Sequence, residues 1–557
     1  MERKIVLIIL IGLFSVKASY STEKLPSLHK PLNIPLVLSG NFGELRSNHF
    51  HSGLDFKTQG KTGFKIYCAE DGYVSRVLVS PWGFGRAVYV THPSIGLVTV
   101  YGHLQSFGSK IDKIIKAEQY KRESFSIDME FKPNEIPVKR GEVIAFSGNA
   151  GSSGGPHLHM DVRDLETGDA LDPMPYFKGL ITDNVKPDVR TIALYPHDGV
   201  VDDTIVASYR TMAQIATPFT AWGKVVPGIK AYDKMPNVSN IYGVKYLTLK
   251  VDGEEVYHRV IDRFSFDVSR AVNTLVNYPD RLKNSWVMTT YVPESNMLSD
   301  MVNVSLPNGV IDIDEERDYN CQYILSDEYG NKSSVKFIIR GKRSEIPQKK
   351  REGILFRYSG ENSYNMNGLS LKFAPNTFYE DIFFEVKTST LDNYNSDVHK
   401  IGDTNVPLHK SFDVKISLTN DNQADKSKYC IVRINGKRRT AVATKYEEGK
   451  VSTRINQFGR YAVTIDDTAP KVLPRNKKRW ARNGRVEFKI SDNLSGIETY
   501  RGVIDGKWVM FEYDGKNALL SYKLEPSRVK KGKSHKVKMV VTDACGNKTT
   551  ITETFTW

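Results

Sequence analysis

Cysteine is scarce in this chain: four residues in 557, at Cys68, Cys321, Cys430 and Cys545. No two are close in sequence, which excludes a zinc site built on paired thiolates. One falls in each of the four segments described below, so a disulfide framework within a domain is excluded. Buried free thiols are the expectation. Long apolar runs are missing too. Beyond Phe14 nothing approaches the ~20 residues a helix needs to cross a bilayer, so no transmembrane segment is expected in the mature chain. Acidic residues are in deficit: 78 Lys and Arg against 64 Asp and Glu give a net charge of +14. A basic surface favours anionic partners, although solvated charge is the simpler account. A hydrophobic fraction of 40% and an aromatic fraction of 11% are ordinary for globular domains and exclude disorder on a large scale.

What is present begins at the N-terminus. Arg3 and Lys4 precede a short apolar run, Ile5 to Phe14, and Val16-Lys-Ala18 follows with small residues. This is the layout of a secretory signal peptide, with cleavage expected near Ala18. No Cys follows the run, which argues against a lipid anchor. Export places the mature chain in the periplasm or cell envelope. It removes nucleic acid as a partner despite the basic charge.

Four segments follow, with boundaries expected at 25–189, 190–345, 346–467 and 468–557. Seven of the twelve histidines (His29, His49, His51, His92, His103, His157 and His159) fall in the first. The remainder reads as strands and turns. Tyr246 to Asp252, Phe412 to Leu418, Val486 to Ile490 and Lys536 to Val541 alternate apolar and polar residues, the period of half-buried strands. Asp327-Glu-Tyr-Gly-Asn-Lys332 repeats as Asp543-Ala-Cys-Gly-Asn-Lys548, each a tight turn before a strand. Each resembles the last hairpin of an immunoglobulin-like domain, and Asp466-Asp-Thr-Ala-Pro470 resembles the lead-in between such modules. Gly341 to Arg351 is a charged linker. The fold class expected is therefore mainly β: an N-terminal domain followed by about three β-sandwich modules, immunoglobulin-like at 190–345 and 468–557 and simply β-rich at 346–467.

Three short pieces of the first segment carry candidate chemistry: His51-Ser-Gly-Leu-Asp55, Tyr101-Gly-His-Leu104, and the Gly-rich Gly148 to Pro156 leading into His157-Leu-His159. Residues two apart on a strand face the same side, so His157 and His159 can point into one site. Imidazole is the commonest protein ligand for zinc. A lone His-x-His is as readily a surface pair, and His51 with Asp55 alone is as readily structural. Gly53 between that pair indicates a strand entering a bend rather than a helix.

Taken in order, the three pieces resemble the lysostaphin-like, or LytM-type, zinc endopeptidases. Ala69-Glu-Asp-Gly-Tyr-Val74, Val88 to His92, Val98 to Leu104 and Gly141 to Asn149 match the surrounding pattern. The resemblance covers roughly residues 40 to 165. It implies an antiparallel-sheet peptidase domain in which His51, Asp55 and His159 hold Zn2+. It implies that His103 and His157 act beside the metal as acid–base and oxyanion-stabilising groups. The function implied is hydrolysis of peptide crosslinks in bacterial peptidoglycan, with stem peptides as substrate and anionic envelope polymer as a partner for the basic tail. Alternatives are a non-catalytic wall-binding scaffold or activator of another hydrolase, and a protease for Gly-rich proteins. The complete five-residue set favours catalysis. His49 is expected at the groove or surface, His92 as a packing or supporting residue, and Asn41 in a turn. Compact members of the family have a shorter connection where residues 108–138 stand here. That insert shows helical spacing at Ile111, Ile114 and Ile115, and it is expected to shape the groove.

Overall fold

The computed structural model describes residues 25–348, 350–442 and 444–557. The expected signal peptide and its cleavage near Ala18 lie outside the described residues. The described chain is mainly β, as its alternating runs predict. No helix among the described residues is long and apolar enough to cross a membrane.

The first segment is built on one antiparallel sheet. Strands Leu38–Gly40, Gly53–Lys57, His157–Asp164, Leu97–Gly102, Arg86–His92, Gly72–Val79 and Ile127–Glu130 lie side by side in that order. Val88, Val90, Val100, Tyr101, Leu158, Met160 and Val162 are all buried. The register sets His159 opposite Asp55 on one side and opposite Gly102 on the other. Gly53 is required here, because a Cβ on it would lie 2.2 Å from the carbonyl oxygen of Met160.

The predicted helix of the insert spans Ser109–Lys121 and buries Ile111, Ile115 and Gln119. Ile114, one residue off that stripe, is 36% exposed. Part of the helix's outer side meets the C-terminal module. Tyr120 packs edge-on against Trp508 with ring centroids 5.2 Å apart, and Lys116 pairs with Glu525 at 2.6 Å. The chain therefore folds back on itself, and the insert carries the far end of the molecule.

Packing also crosses from the first segment into the second. Ala170–Leu171 extends the first sheet and pairs with Arg263–Phe264. Phe264 stacks on Phe42 and packs at a tilt against Phe50, with centroids 5.1 Å apart in each case. One buried apolar cluster runs from Leu28 to Ile339 and takes in Tyr379 of the third segment. Residues 188–341, where an immunoglobulin-like sandwich is expected, form one hydrogen-bonded sheet of ten strands. The reason is two strands of unusual length, Asp188–Val201 and Phe219–Tyr232, which pair along their whole course through two register shifts. The second of them also takes Met288–Thr289, Ile311–Ile313 and Lys332–Gly341 as partners.

The last two segments have their own cores. The third has two five-stranded sheets and a two-stranded one, Ile354–Phe356 with Ile382–Phe384, and the fourth has two four-stranded sheets. Both repeated hairpins form: Asp318–Ser326 with Lys332–Gly341, and Ser534–Asp543 with Lys548–Thr556. All four cysteines are buried free thiols. Their separation in sequence conceals one encounter, since Cys430 and Cys545 pack together across the boundary between these two segments.

Candidate metal centre and its surroundings

Strand register brings together residues more than a hundred positions apart. His51 Nε2 lies 3.1 Å from Asp55 Oδ1 and 3.1 Å from His159 Nδ1, and His159 Nδ1 lies 2.9 Å from Asp55 Oδ1. All three side chains are at least nine-tenths buried. Their orientations are fixed from behind. His51 donates through Nδ1 to the carbonyl of Asn41 at 2.6 Å. His159 donates through Nε2 to Asp161 Oδ1 at 2.5 Å. With those nitrogens carrying the protons, His51 Nε2 and His159 Nδ1 turn lone pairs toward each other and toward a carboxylate. Three lone-pair donors facing one point in a buried site repel unless a cation or a shared proton lies between them. This donor set could hold a divalent metal.

The carboxylate divides its oxygens. Asp55 Oδ2 accepts from Arg46 at 2.7 Å while Oδ1 faces the imidazoles. Burial pushes the Asp55 carboxyl upward, but the facing imidazoles, His51 first and then His157 and His159, outweigh it and hold the group well below the usual range. Burial depresses His159, yet Asp161 and Asp55 outweigh that and raise it to about 9. Asp161 is itself held at about 2, since His159 and Arg163 overcome its burial. Arg163 reaches Asp161 Oδ2 through Nε at 3.1 Å and through a terminal nitrogen at 2.6 Å.

His103 and His157 stand together at the rim of this cluster, with ring centroids 4.7 Å apart. Both engage backbone carbonyls through Nδ1, His103 with Ala150 at 2.9 Å and His157 with Gly155 at 2.8 Å. Both Nε2 atoms are thereby freed toward the site, and His157 Nε2 lies 3.4 Å from Asp55 Oδ1. His103 has a positive φ of 57°, a conformation that costs free energy in a residue other than Gly and clusters at functional sites. Burial, then His159 and His157, push His103 down to about 3, so it is neutral at pH 7.

The remaining candidates fall outside the cluster. His49 is exposed on the hairpin before His51, with Nδ1 3.0 Å from the Ser47 carbonyl. His92 is buried, 2.8 Å from Thr99 Oγ1, in a supporting chain that continues to Tyr101. The Asn41 side chain turns away from the cluster and bridges the backbone of Gly243 in the second segment. Sequence reasoning missed Asp161 and Arg46. Asp161 was legible, since it follows His159 by two on one strand and shares its face. Arg46 gave no signal beyond its charge. Also missed was a contact from the far end of the chain: Lys516 donates to the carbonyls of Asn149 and Ser153, in the loop that delivers His157.

Comparison with known proteins agrees with this picture. Residues 354–466 match the model of the Zu5-like domain, which accounts for the third segment. An uncharacterized metalloprotease of Haemophilus influenzae is 33% identical over 124 residues, 22% of this chain and 20% of that protein. The DD-carboxypeptidase/endopeptidase Mpg of Neisseria meningitidis is 29% identical over 119 residues, 21% of each. This chain thus spans about a fifth of the length of the curated relatives it matches. The catalytic domain of the antimicrobial peptidase lysostaphin from Staphylococcus simulans aligns at 21% identity, covering 26% of this chain and 93% of that one, with a TM-score of 0.20. The ordered motifs, the buried cluster they form and the metalloprotease relative lead to one conclusion: the chain carries a LytM-type peptidase domain.

Proposed function

We propose that this protein is a secreted, zinc-dependent endopeptidase that hydrolyses peptide crosslinks of bacterial peptidoglycan in the periplasm or cell envelope. The observation that carries this reading is the convergence of His51 Nε2, Asp55 Oδ1 and His159 Nδ1 at 2.9–3.1 Å from one another. Ligands on a tetrahedral ion with bonds of 2.0–2.1 Å lie ~3.3 Å apart, so the donors fit Zn2+ with little rearrangement. Two nitrogens and one carboxylate oxygen leave a fourth position open, the pattern of catalytic zinc. Bound there, zinc supplies Lewis acidity, which acidifies water and polarises a scissile carbonyl.

The chain's own residues do the rest. His103, neutral and with Nε2 unprotonated, takes a proton from the attacking water and returns it to the leaving amine. His157, held through Nδ1 by Gly155 and with Nε2 3.4 Å from Asp55 Oδ1, stabilises the developing oxyanion as an imidazolium, donating from a second proton on Nε2. Arg46 fixes Asp55, and Asp161 fixes His159, so neither ligand reorganises during the reaction. The basic tail favours anionic envelope polymer. A wall-binding scaffold would need none of these five side chains.

The test is incubation of the zinc-loaded chain with purified sacculi and, separately, with a Gly-rich protein, with products read by mass spectrometry. Crosslinked muropeptides should disappear and new free peptide termini appear. Sacculi that bind the protein with their crosslinks intact would leave the scaffold reading, and cleavage of the Gly-rich protein alone would replace the substrate. His159→Ala should abolish both zinc content and cleavage. Full zinc occupancy in that variant would remove His159 from the ligand set.

A further inference from the structure

Two groups of three aspartates lie outside the peptidase centre. Asp183, Asp233 and Asp327 form one, and Asp466, Asp492 and Asp543 form the other. In each, one oxygen per residue lies within 4.8 Å of the other two. The two groups are built alike. Asp183 and Asp466 each stand four residues before a proline, Pro187 and Pro470, at the entry to a module. Asp233 follows the strand Phe219–Tyr232, and Asp492 follows Arg485–Ser491. Asp327 and Asp543 are the first residues of the repeated hairpin turn.

Around the turn aspartates Asp327 and Asp543 the hydrogen bonding repeats atom for atom. Asp327 Oδ1 accepts from the backbone of Tyr329 and Asn331, and Asp543 Oδ1 from that of Cys545 and Asn547. The Asn331 side-chain amide bridges Asp327 Oδ2 and the Asp183 carbonyl, as that of Asn547 bridges Asp543 Oδ2 and the Asp466 carbonyl. Ser333 and Thr549 hydroxyls then hold the carbonyls of Pro187 and Pro470.

A second kind of observation points to a ligand. Asp233 is 7% exposed, and its Oδ1 is buried without a hydrogen-bond partner. The equivalent atom of the other group, Asp492 Oδ1, is buried and unpartnered as well. Among the described residues none of the six carboxylates has a Lys, Arg or His partner. The nearest cation lining the first group's cavity, Lys245, is committed to Asp172 and Glu328 at 2.7 and 2.6 Å. Lys428, beside the second group, donates to the Cys545 carbonyl and pairs with Asp425. Gathering such charge is unfavourable: burial, with Asp327 and Asp183 adding to it, pushes the Asp233 carboxyl up to about 8.

We infer that each three-aspartate group is a binding site for a hard divalent cation, Ca2+, so that the chain holds two such ions at module entries in addition to the metal of the peptidase centre. All-oxygen ligands with carboxylates suit Ca2+, whose bonds of 2.3–2.6 Å keep any two of its ligand atoms within about 5.2 Å. Each ion ties the lead-in of its module to two strand ends. At the first site it also braces the peptidase. The cavity there is lined by Leu38, Asn41 and Phe42 as well as Asp183, Asp233 and Asp327. Tyr242, whose backbone pairs with Asp233, donates its hydroxyl to the Leu38 carbonyl. Asn41 in turn orients His51.

The experiment is equilibrium dialysis of the full chain against radioactive calcium, with zinc per chain measured in the same samples and melting followed with and without calcium. Two calcium ions per chain should bind saturably. Asp233→Asn should lose one, Asp492→Asn the other, and the double variant both, with zinc content unchanged throughout. Calcium should raise the melting temperature of the unaltered chain but not that of the double variant. Absence of saturable calcium at millimolar concentration would overturn the inference. Two ions retained in the double variant, or magnesium bound in preference to calcium, would also overturn it. Because the count on the unaltered chain needs no variant to fold, the inference stays falsifiable. Because zinc is counted separately, its failure is distinguishable from failure of the peptidase reading.

Discussion

Asp161 accepts a hydrogen bond from His159 Nε2 at 2.5 Å, and this contact turns the other ring nitrogen of His159 toward Asp55. The carboxylate is fully buried; its Oδ2 is answered by Arg163, and its Oδ1 also accepts from the Ser52 hydroxyl at 2.9 Å. Asp161→Asn keeps the shape but weakens the orientation and basicity of the imidazole. Zinc affinity should fall roughly 10–100-fold, the usual effect of losing a partner behind a metal-ligating His. Competition against a chromophoric chelator measures this, and an unchanged affinity would make Asp161 a packing residue only.

In the metal-free protein, protons and metal compete for His159. Its folded value of about 9 lies above the ordinary 6.5, so protonation stabilises the metal-free fold. That stabilisation is fully present below pH 6.5 and is lost as pH rises through about 9. Metal binding requires the deprotonated ring, so zinc affinity should increase from pH 6.5 to about 9 with release of a proton. Calorimetry in buffers of different ionisation enthalpy counts that proton. A pH-independent affinity over this range would contradict the assignment.

His103→Ala removes a group placed beside the donors but not among them. Zinc content should stay at the level of the unaltered chain while turnover falls roughly 10²-fold or more. Elemental analysis and a muropeptide cleavage assay read the two quantities on one sample. Activity close to that of the unaltered chain would reduce His103 to a structural role.

A chain ending near residue 189 should not fold stably. It would uncover Phe42 and Phe50, now 5% and 1% exposed, by removing Phe264. It would also release the Asn41 side chain from Gly243. Each phenylalanine left in water forfeits up to ~2–3 kcal/mol, against a total stability of only about 5–15 kcal/mol. A chain ending near residue 345 keeps these contacts and should melt cooperatively. Thermal melts of the two shortened chains decide, and equal stability would mean that the shared core matters little.

What the sequence by itself determined is local and periodic. The period of two set His157 and His159 on one face and marked the alternating strands. The spacing of Ile111 and Ile115 set the buried face of the insert helix, with Ile114 left half in solvent. The twin Asp-x-x-Gly-Asn-Lys turns announced two hairpins. Chain order of short motifs singled out five side chains that the fold brings close together. Only the tertiary structure decided which atoms meet. Register set Asp55 opposite His159 across 104 residues, aimed the two imidazole lone pairs, and gave Asp55 its Arg46 partner. It joined ten strands of 188–341 into one hydrogen-bonded sheet, brought Cys430 to Cys545, and laid the C-terminal module on the insert helix. The physical reason is that backbone periodicity writes a side chain's direction into its immediate neighbours. Which distant surface it meets depends instead on many weak packing contacts summed over the whole fold, and no short stretch of sequence contains that sum.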